Sequence, residues 1–135
     1  DDEFDELLYD ESQRVRGAAA YRDDLTEAQV EALLHDGLMY RYNSEDDFGM
    51  PASAFTICTF WLIRALFVIG EREEARRLFD GVLRCANHVG LFSEDIDFDT
   101  KELLGNFPQA YSHLALVNTA VLFAEEDRSL TFVRP

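Results

Sequence analysis

Residues 52–69 constrain the fold of this chain more than any other segment. They are apolar on almost every side, and Arg64 is the only charged side chain among them. A helix that is apolar all round must be buried all round, either in a protein core or in a membrane. At about 18 residues the segment is at the lower limit for crossing a bilayer, and charged segments flank it. We therefore predict a helix at the centre of a protein core.

A second helix, amphipathic in pattern, is predicted over residues 71–89, directly after Gly70, which ends the apolar helix. Its apolar residues recur at the spacing of a single helix face: Ala75, Leu78, Phe79, Val82, Leu83 and Ala86. An apolar helix joined to a one-sided helix by a tight turn predicts an αα-hairpin with an inner and an outer member.

A short outer helix is predicted before this hairpin. Thr26 and Gln29 form a capping box for a helix over about 26–35, and Gly37 is placed to end it. Residues 38–43 alternate their bulkier side chains, which indicates a short extended segment.

A second inner helix is predicted after the hairpin. Pro108 suits its first turn, and the helix is apolar on most faces until it ends near Glu125. The order outer, inner, outer, inner predicts an all-α fold of helical hairpins, arranged as a superhelix or as part of a closed barrel. The sequence has no fixed repeat period, which counts against the superhelix. Residues 1–14 and 126–135 are predicted to be irregular.

The charge of the chain limits its partners. A formal net charge of −15, from 27 acidic and 12 basic residues, argues against nucleic acid, because phosphate contacts need clustered Lys and Arg. Lys101 is the only lysine, and an acidic, lysine-poor surface is typical of proteins from concentrated salt, so we predict a halophilic origin. The first residues are acidic and lack the basic region of a signal peptide. We expect a cytoplasmic protein with no membrane partner, and an excised piece of a longer one.

Metal and cofactor chemistry is not indicated by the pattern of ligand-type residues. Cys58 and Cys85 lie within helical patterns, which favours two small buried hydrophobic residues over a disulfide or metal pair. His35, His88 and His113 fall on three different segments, and His113 is predicted to be a hydrogen-bonded structural residue. We therefore expect no metal and no cofactor.

The acidic segment at residues 94–99 is the main candidate for chemistry. Its acids alternate with Ile96 and Phe98, which predicts a short extended piece that directs the acids to one side. The spacing does not fit a calcium loop, since Thr100 stands where that loop needs glycine and Asn106 where it needs glutamate. From the residues alone, the segment is either a solvated acidic loop or the source of a catalytic carboxylate.

Arg41 is a further candidate, because it lies between Tyr40 and Tyr42 and ahead of an acidic loop. An arginine flanked by aromatic residues can bind sugar hydroxyls or fix a carboxylate. A structural ion pair with Asp46 or Asp47 is equally consistent with the spacing.

Several motifs stand in a fixed order from about residue 15 to residue 125. They lie at residues 37–42, 54–62, 74–79 and 86–91. The most specific are Ser-Glu-Asp at 93–95 and Gly-Asn-Phe-Pro-Gln-Ala-Tyr-Ser-His-Leu at 105–114. Together they resemble the C-terminal part of glycoside hydrolase family fifteen, the glucoamylases and the bacterial and archaeal trehalase-like enzymes.

The resemblance implies an (α/α)6 barrel with an inner and an outer ring of helices, of which residues 1–135 supply a C-terminal segment. It implies that Glu94 is the general base, which deprotonates the water that attacks the anomeric carbon with inversion. Arg41 matches an arginine that contacts the bound sugar, and Tyr111 matches an aromatic residue that faces the pocket. The general acid of the family lies upstream and has no counterpart here.

The implied function is the hydrolysis of an α-linked glucose disaccharide or oligosaccharide by an inverting α-glucosidase of the glucoamylase or trehalase type. Because one carboxylate cannot be both acid and base in this chemistry, we expect the chain alone to be inactive. Its partners would be the substrate and the remainder of its own barrel, and uncovered inner-helix surface predicts self-association.

One departure from the family pattern concerns activity. Family members often have Glu-Gly where this chain has Ala52 and Ser53. If that glutamate shapes the substrate subsite, its absence would change the substrate preference or lower the rate. The alternative function is a non-catalytic helical-hairpin interaction module or an inactive relative, either of which would tolerate substitution of Glu94.

Overall fold

The computed structural model describes residues 34–42, 45, 47 and 49–131. Three helices lie in these ranges: α1 is Thr56–Ile69, α2 is Arg72–Leu83 and α3 is Ala110–Thr131. Five short strands accompany them: β1 Leu34–His35, β2 Leu38–Met39, β3 Ser53–Phe55, β4 Asp95–Asp97 and β5 Leu103–Leu104. The expectation of an all-α chain is therefore wrong, because two small antiparallel sheets accompany the helical core.

A tight hairpin stands where the first helix was expected to end. The prediction of a helix over 26–35 is wrong at its last two residues, which form β1. The capping box of that helix lies outside the described residues. Segment 1–14, predicted to be irregular, also lies outside them. Asp36 and Gly37 join β1 to β2 with φ angles of 49° and 77°. Positive φ at both loop positions is the type I′ turn that joins twisted strands, and Asp-Gly is a strong signal for it. The extended segment predicted from residue 38 onward is confirmed at β2.

Helix α1 is buried on most sides, but the predicted burial on every side is not met among the described residues, since Trp61 is only partly buried and Val68 is 49% exposed. Its buried residues are Thr56, Cys58, Thr59, Phe60, Leu62, Ile63, Ala65, Leu66 and Phe67. Phe60 is fully buried and makes edge-on contacts with Phe79 and Phe92, with ring centroids 6.3 and 5.5 Å apart. Burial of each such side chain contributes about 1.5–3 kcal/mol. Gly70 ends α1 in the left-handed conformation, as predicted.

The predicted start of this helix at residue 52 is wrong, because a strand precedes it. Strand β3 pairs antiparallel with β4, so that Ala54 lies opposite Ile96. The pairing continues into the first residue of α1, where Thr56 N donates to the carbonyl of Glu94 at 2.9 Å. An apolar run has no periodicity that separates a buried strand from a buried helix. The partner strand therefore decides where the helix begins.

Helix α2 is one-sided, as predicted, but it ends at Leu83 and not near residue 89. Its buried face consists of Ala75, Leu78, Phe79 and Val82. After Leu83 the side chain of Asn87 accepts hydrogen bonds from Val89 N at 3.1 Å and Leu91 N at 2.9 Å. A short polar side chain that binds nearby backbone in this way competes with the helix and favours a turn.

Helix α3 differs from its prediction at both ends. It begins at Ala110, after Pro108, and it continues beyond Glu125 to Thr131. Residues 126–131, which were expected to be irregular, are therefore helical. None of the helices in the described ranges is both long and apolar enough to cross a bilayer.

Only one side of α3 is buried within the described part of the chain. This side carries Phe123, which stacks on Phe79 of α2 and meets Phe67 of α1 edge-on, both at 4.9 Å between ring centroids. A second side carries an apolar stripe whose members are 47–68% exposed: Tyr111, Leu114, Val117 and Val121. Helix α3 is apolar on most faces, as predicted. Within the described part of the chain, no other element covers its second apolar face.

Two fully buried threonines of α1 form a matched pair for testing how the hairpin is attached. Met39 N donates to Thr59 Oγ1 at 3.0 Å, whereas Thr56 Oγ1 has no hydrogen-bond partner among the described residues. We expect Thr59→Val to lower the free energy of unfolding by about 1–3 kcal/mol, because a buried N–H loses its acceptor. Thr56→Val removes an unpartnered hydroxyl and should be neutral or stabilising. Urea unfolding of both variants checks this, and equal losses would contradict it.

Candidate active site

A cleft of about 380 Å³ opens where the start of α1 meets the start of α3. Its lining comes from separate segments of the chain: Arg41, Phe55, Ile57, Trp61, Glu94, Gln109, Tyr111 and Ser112. Mostly apolar walls with a few polar groups are typical of small-molecule sites. The three residues singled out from the sequence, Glu94, Arg41 and Tyr111, line this one cleft together.

Glu94 is held through its backbone from two sides. Its carbonyl accepts the N–H of Thr56 at 2.9 Å, and its own N–H donates to the carbonyl of Asn106 at 2.8 Å. Its side chain is half-buried, and Oε2 accepts from Asn106 Nδ2 at 2.8 Å and from Asn106 N at 3.3 Å. The junction of β3 with α1 and the loop after β5 therefore fix the place of this residue.

The segment before Glu94 is tied to the start of α3. Ser112 Oγ donates to the carbonyl of Ser93 at 2.8 Å, and Gln109 N donates to the carbonyl of Phe92 at 3.0 Å. Both Ser112 and Ser93 are buried, where a hydrogen bond broken on one side leaves a costly unpaired group. The two edges of the cleft therefore cannot move independently.

His113 completes this attachment. Its Nε2 accepts the N–H of Phe92 at 3.2 Å, and its Nδ1 lies 2.7 Å from the carbonyl of Gln109. A ring nitrogen that accepts from an N–H carries no proton, so these partners assign the ring proton to Nδ1, which donates to Gln109. The prediction of a hydrogen-bonded structural histidine is confirmed.

Arg41 and Tyr111 stand at the exposed edges of the cleft. The guanidinium of Arg41 lies 4.6 Å from the centroid of the Phe55 ring, a cation–π contact that leaves its N–H donors available. Tyr111 is 68% exposed. Of the two acids proposed as ion-pair partners for Arg41, Asp46 lies outside the described residues and Asp47 is exposed.

Asp95 is a residue whose surroundings the sequence did not reveal. Burial, and then repulsion from the charge of Glu94, raise the pKa of Asp95 from 3.8 to about 6, while Arg41 acts in the opposite direction. Asp97 behaves differently: hydrogen bonds from Thr100 and a further one from Asp99 N hold its pKa below the ordinary value. The alternation of acids predicted a short extended piece, which is confirmed as β4. Alternation cannot, however, reveal that Asp95 and Asp97, on the same side of the strand, have pKa values shifted in opposite directions.

The sequence also did not identify the apolar walls of the cleft. Trp61 and Ile57 were assigned to the core with the rest of their helix, yet both are only partly buried and line the cleft. Their separation of four residues places them on one face of α1, which is the signal that could have paired them. Gln109 lies within a motif that was recognised, but nothing in its spacing marked it as a wall of the cleft.

The remaining ligand-type residues do not form a metal site in the described part of the chain, where no group of three or more His, Cys, Asp or Glu side chains could hold an ion. Cys58 and Cys85 are both free; Cys58 is buried, as predicted, whereas Cys85 is only partly buried. Burial raises the pKa of the Cys58 thiol to about 12. Such a thiol stays protonated and unreactive at neutral pH.

Asp95 and Asp97 should affect the pH dependence of stability with opposite signs. Folding raises the pKa of Asp95, so the stability that its proton contributes is present below 3.8 and is lost as the pH rises through about 6. As the pH rises from 4 to 8, the free energy of unfolding of Asp95→Asn should therefore increase relative to that of the parent.

Folding lowers the pKa of Asp97, so Asp97→Asn should be less stable than the parent at neutral pH and as stable as the parent at low pH. Urea unfolding from well below pH 3.8 up to pH 8 tests both, and a pH-independent difference for Asp95→Asn would contradict the assignment.

Comparison with known proteins gives consistent matches. The family described as glycosyl hydrolases family 15 matches residues 10–121. The trehalase of Mycolicibacterium smegmatis is 42% identical over 120 residues, which cover 84% of this chain and 17% of that enzyme. The trehalase of Mycobacterium tuberculosis is 42% identical over 120 residues, covering 84% and 16% respectively. The trehalase of Thermoplasma volcanium is 40% identical over 89 residues, covering 65% and 14%. No solved structure is significantly similar to the chain.

The chain spans about a sixth of the length of the curated relatives that it matches. The matched residues, 10–121, include all those that line the cleft. Because the family pattern extends over most of the sequence and through the whole described site, this chain belongs to glycosyl hydrolases family 15.

Proposed function

We propose that this chain is the part of a trehalase-type, inverting glycoside hydrolase that supplies the general base. One observation carries the proposal: Glu94, Arg41 and Tyr111 line a single cleft in a chain that is 42% identical to a bacterial trehalase. The relatives are trehalases, so the proposed substrate is an α-linked glucose disaccharide.

In this proposal Glu94 removes a proton from the water that attacks the anomeric carbon. Oε2 of Glu94 already accepts two hydrogen bonds from Asn106, whereas Oε1 has no donor among the described residues. Oε1 is therefore the oxygen that takes the proton. Attack on the face opposite the leaving group inverts the configuration.

The general acid is proposed to come from polypeptide outside this chain. Asp95 is the nearest other carboxyl along the chain, and its pKa of about 6 would keep part of it protonated near neutral pH. It is not, however, among the residues that line the cleft. Inverting enzymes also need roughly 6.5–9.5 Å between the two carboxyl groups to admit the water. A carboxyl on the facing wall of a completed cleft meets that requirement.

The remaining walls supply binding. The guanidinium of Arg41 presents planar N–H donors that suit sugar hydroxyls, and its contact with Phe55 limits its motion. Trp61 and Tyr111 add aromatic surface against which the apolar faces of a sugar ring can pack. These residues orient the glucosyl unit whose anomeric carbon reacts beside Glu94.

The helices are proposed to form part of an (α/α)6 barrel. Helices α1 and α3 would belong to its inner ring and α2 to its outer ring, since α1 packs against both of the others. The part of the exposed apolar stripe that does not line the cleft, Leu114, Val117 and Val121, would then be covered by helices outside this chain.

Replacement of Glu94 tests the proposed base. In the full-length protein, Glu94→Gln keeps the shape of the side chain but removes its basicity, so turnover should fall by about 10²–10⁴-fold with little change in melting temperature. Asp99→Asn is the matched control, because Asp99 is an exposed acid of the same segment that does not line the cleft. Its turnover should stay near that of the parent. Trehalose hydrolysis at the parental rate by Glu94→Gln would remove Glu94 from the mechanism, whereas a full-length parent that does not hydrolyse trehalose would favour an inactive relative or an interaction module.

The isolated 135-residue chain tests the incomplete barrel. We expect no glucose release from it, and we expect self-association through the apolar stripe of α3. Leu114→Glu and Val121→Glu should weaken that association by placing charge on the stripe. Val89→Glu is the control, because Val89 is 64% exposed but lies outside α3. A monomeric parent chain in sedimentation velocity would contradict the prediction.

A further inference from the structure

We infer that Asn106, with Gly105 beside it, is a positioning residue that fixes the carboxylate of Glu94 through Oε2 and leaves Oε1 to act. The inference rests on the proposed role of Glu94 as the general base. It assigns a role to two residues that open the motif at 105–114 and to which the sequence analysis gave no function.

The two donors of Asn106 converge on one oxygen. Asn106 Nδ2 lies 2.8 Å and Asn106 N lies 3.3 Å from Glu94 Oε2. A glutamate side chain otherwise moves among many rotamers, and a single hydrogen bond would still allow it to swing. Two donors from different atoms of one residue fix both the position and the plane of the carboxylate. Oε1 is then presented in one orientation.

Asn106 is itself held by the residue that it positions. Its carbonyl accepts the N–H of Glu94 at 2.8 Å, so three hydrogen bonds join these two residues. The contact continues the pairing of β4 with β5, in which Asp95 lies opposite Leu104. That register would set Gly105 opposite Glu94, so the backbone hydrogen bond from Glu94 N to the carbonyl of Asn106, one residue further on, is what holds Asn106 beside Glu94.

Gly105 keeps the space that this arrangement needs. Its φ is 73°, and a Cβ at this position would lie 3.1 Å from Glu94 Oε2 and 3.2 Å from Glu94 Cβ. A side chain here would be strained by the backbone conformation and would also press on the carboxylate. Gly90 offers a comparison, because its φ is 82° but a Cβ there would meet nothing within 4 Å.

Position, and not stability, is what Asn106 contributes. Its side chain is exposed, and exposed hydrogen bonds add little to folding because water replaces them. Catalysis is far more sensitive, since a displacement of about 1 Å in a reacting group can cost about 100-fold in rate. A positioning role therefore predicts a large change in kcat with little change in folding.

The first experiment compares Asn106→Ala, Asn106→Asp and Glu94→Gln in the full-length protein with trehalose. We expect Asn106→Ala to lower kcat by about 10- to 100-fold while KM stays within about twofold, because binding is not altered. Asn106→Asp keeps the shape but replaces the donor with a like charge. It should lose at least as much, and the acidic limb of its pH–rate profile should move to higher pH.

The outcomes separate this inference from the proposed function. Parental kcat in Asn106→Ala together with an inactive Glu94→Gln would overturn the positioning role and leave the general base standing. Parental kcat in Glu94→Gln would overturn the proposed function and this inference with it. If the activity of Asn106→Ala falls only in proportion to its fraction of folded protein, the residue has a structural role and the inference is overturned. Parental kcat in Asn106→Asp would overturn it as well.

The second experiment compares Gly105→Ala with Gly90→Ala. Both place a side chain at positive φ, so both should lower the melting temperature, and Gly105→Ala should lower it more because its methyl group also presses on Glu94. Only Gly105→Ala should also lower kcat in the fraction that remains folded, since only there does the new methyl group meet Glu94. Equal kcat in the two variants would overturn the role of Gly105. If Gly105→Ala does not fold, the Asn106 variants decide the inference by themselves.

Discussion

The burial of α1 on most of its sides is the constraint on which the rest of this structure depends. Each buried side needs a cover, and α2, α3 and the β1–β2 hairpin provide it, the last through Thr59. The start of a buried helix also has N–H groups that need acceptors. The N-cap residue Phe55 provides no side-chain acceptor, and Thr56 N instead donates to the carbonyl of Glu94. The requirement that buries α1 therefore also brings the acidic segment to the cleft.

The acids of that segment then take different roles because their surroundings differ. Glu94 has amide donors on one oxygen and the cleft beside it. Asp95 is half-buried next to that charge, and its pKa rises to about 6. Asp97 receives backbone donors from the turn that follows, and its pKa falls. The chain has 27 acidic residues. A candidate base is therefore distinguished from a surface acid by the environment of its carboxyl group.

In the proposed function, the described cleft supplies one side of a site. Its carboxylate, arginine and aromatic walls come from the ends of elements that are tied together by Ser112 and His113. Among the described residues, the exposed apolar stripe of α3 and a cleft lined by Glu94 as its one carboxylate agree with the proposed larger assembly of helices. A chain that covers 17% of a related trehalase is expected to show both features.

The sequence by itself determined the elements whose signal is local. The apolar run predicted a buried α1, Gly70 predicted its end, one-sided periodicity predicted α2, and ordered motifs singled out Glu94 and Arg41. Tertiary structure decided what depends on residues distant in sequence. Strand β3 exists because β4 lies beside it, and Asn106 reaches Glu94 from 12 positions away. Asp95 differs from Asp97 because burial and the charge of Glu94 act on Asp95, whereas Asp97 accepts hydrogen bonds from the turn that follows. Periodicity reports which face of an element is apolar, but it cannot report which neighbour will cover that face.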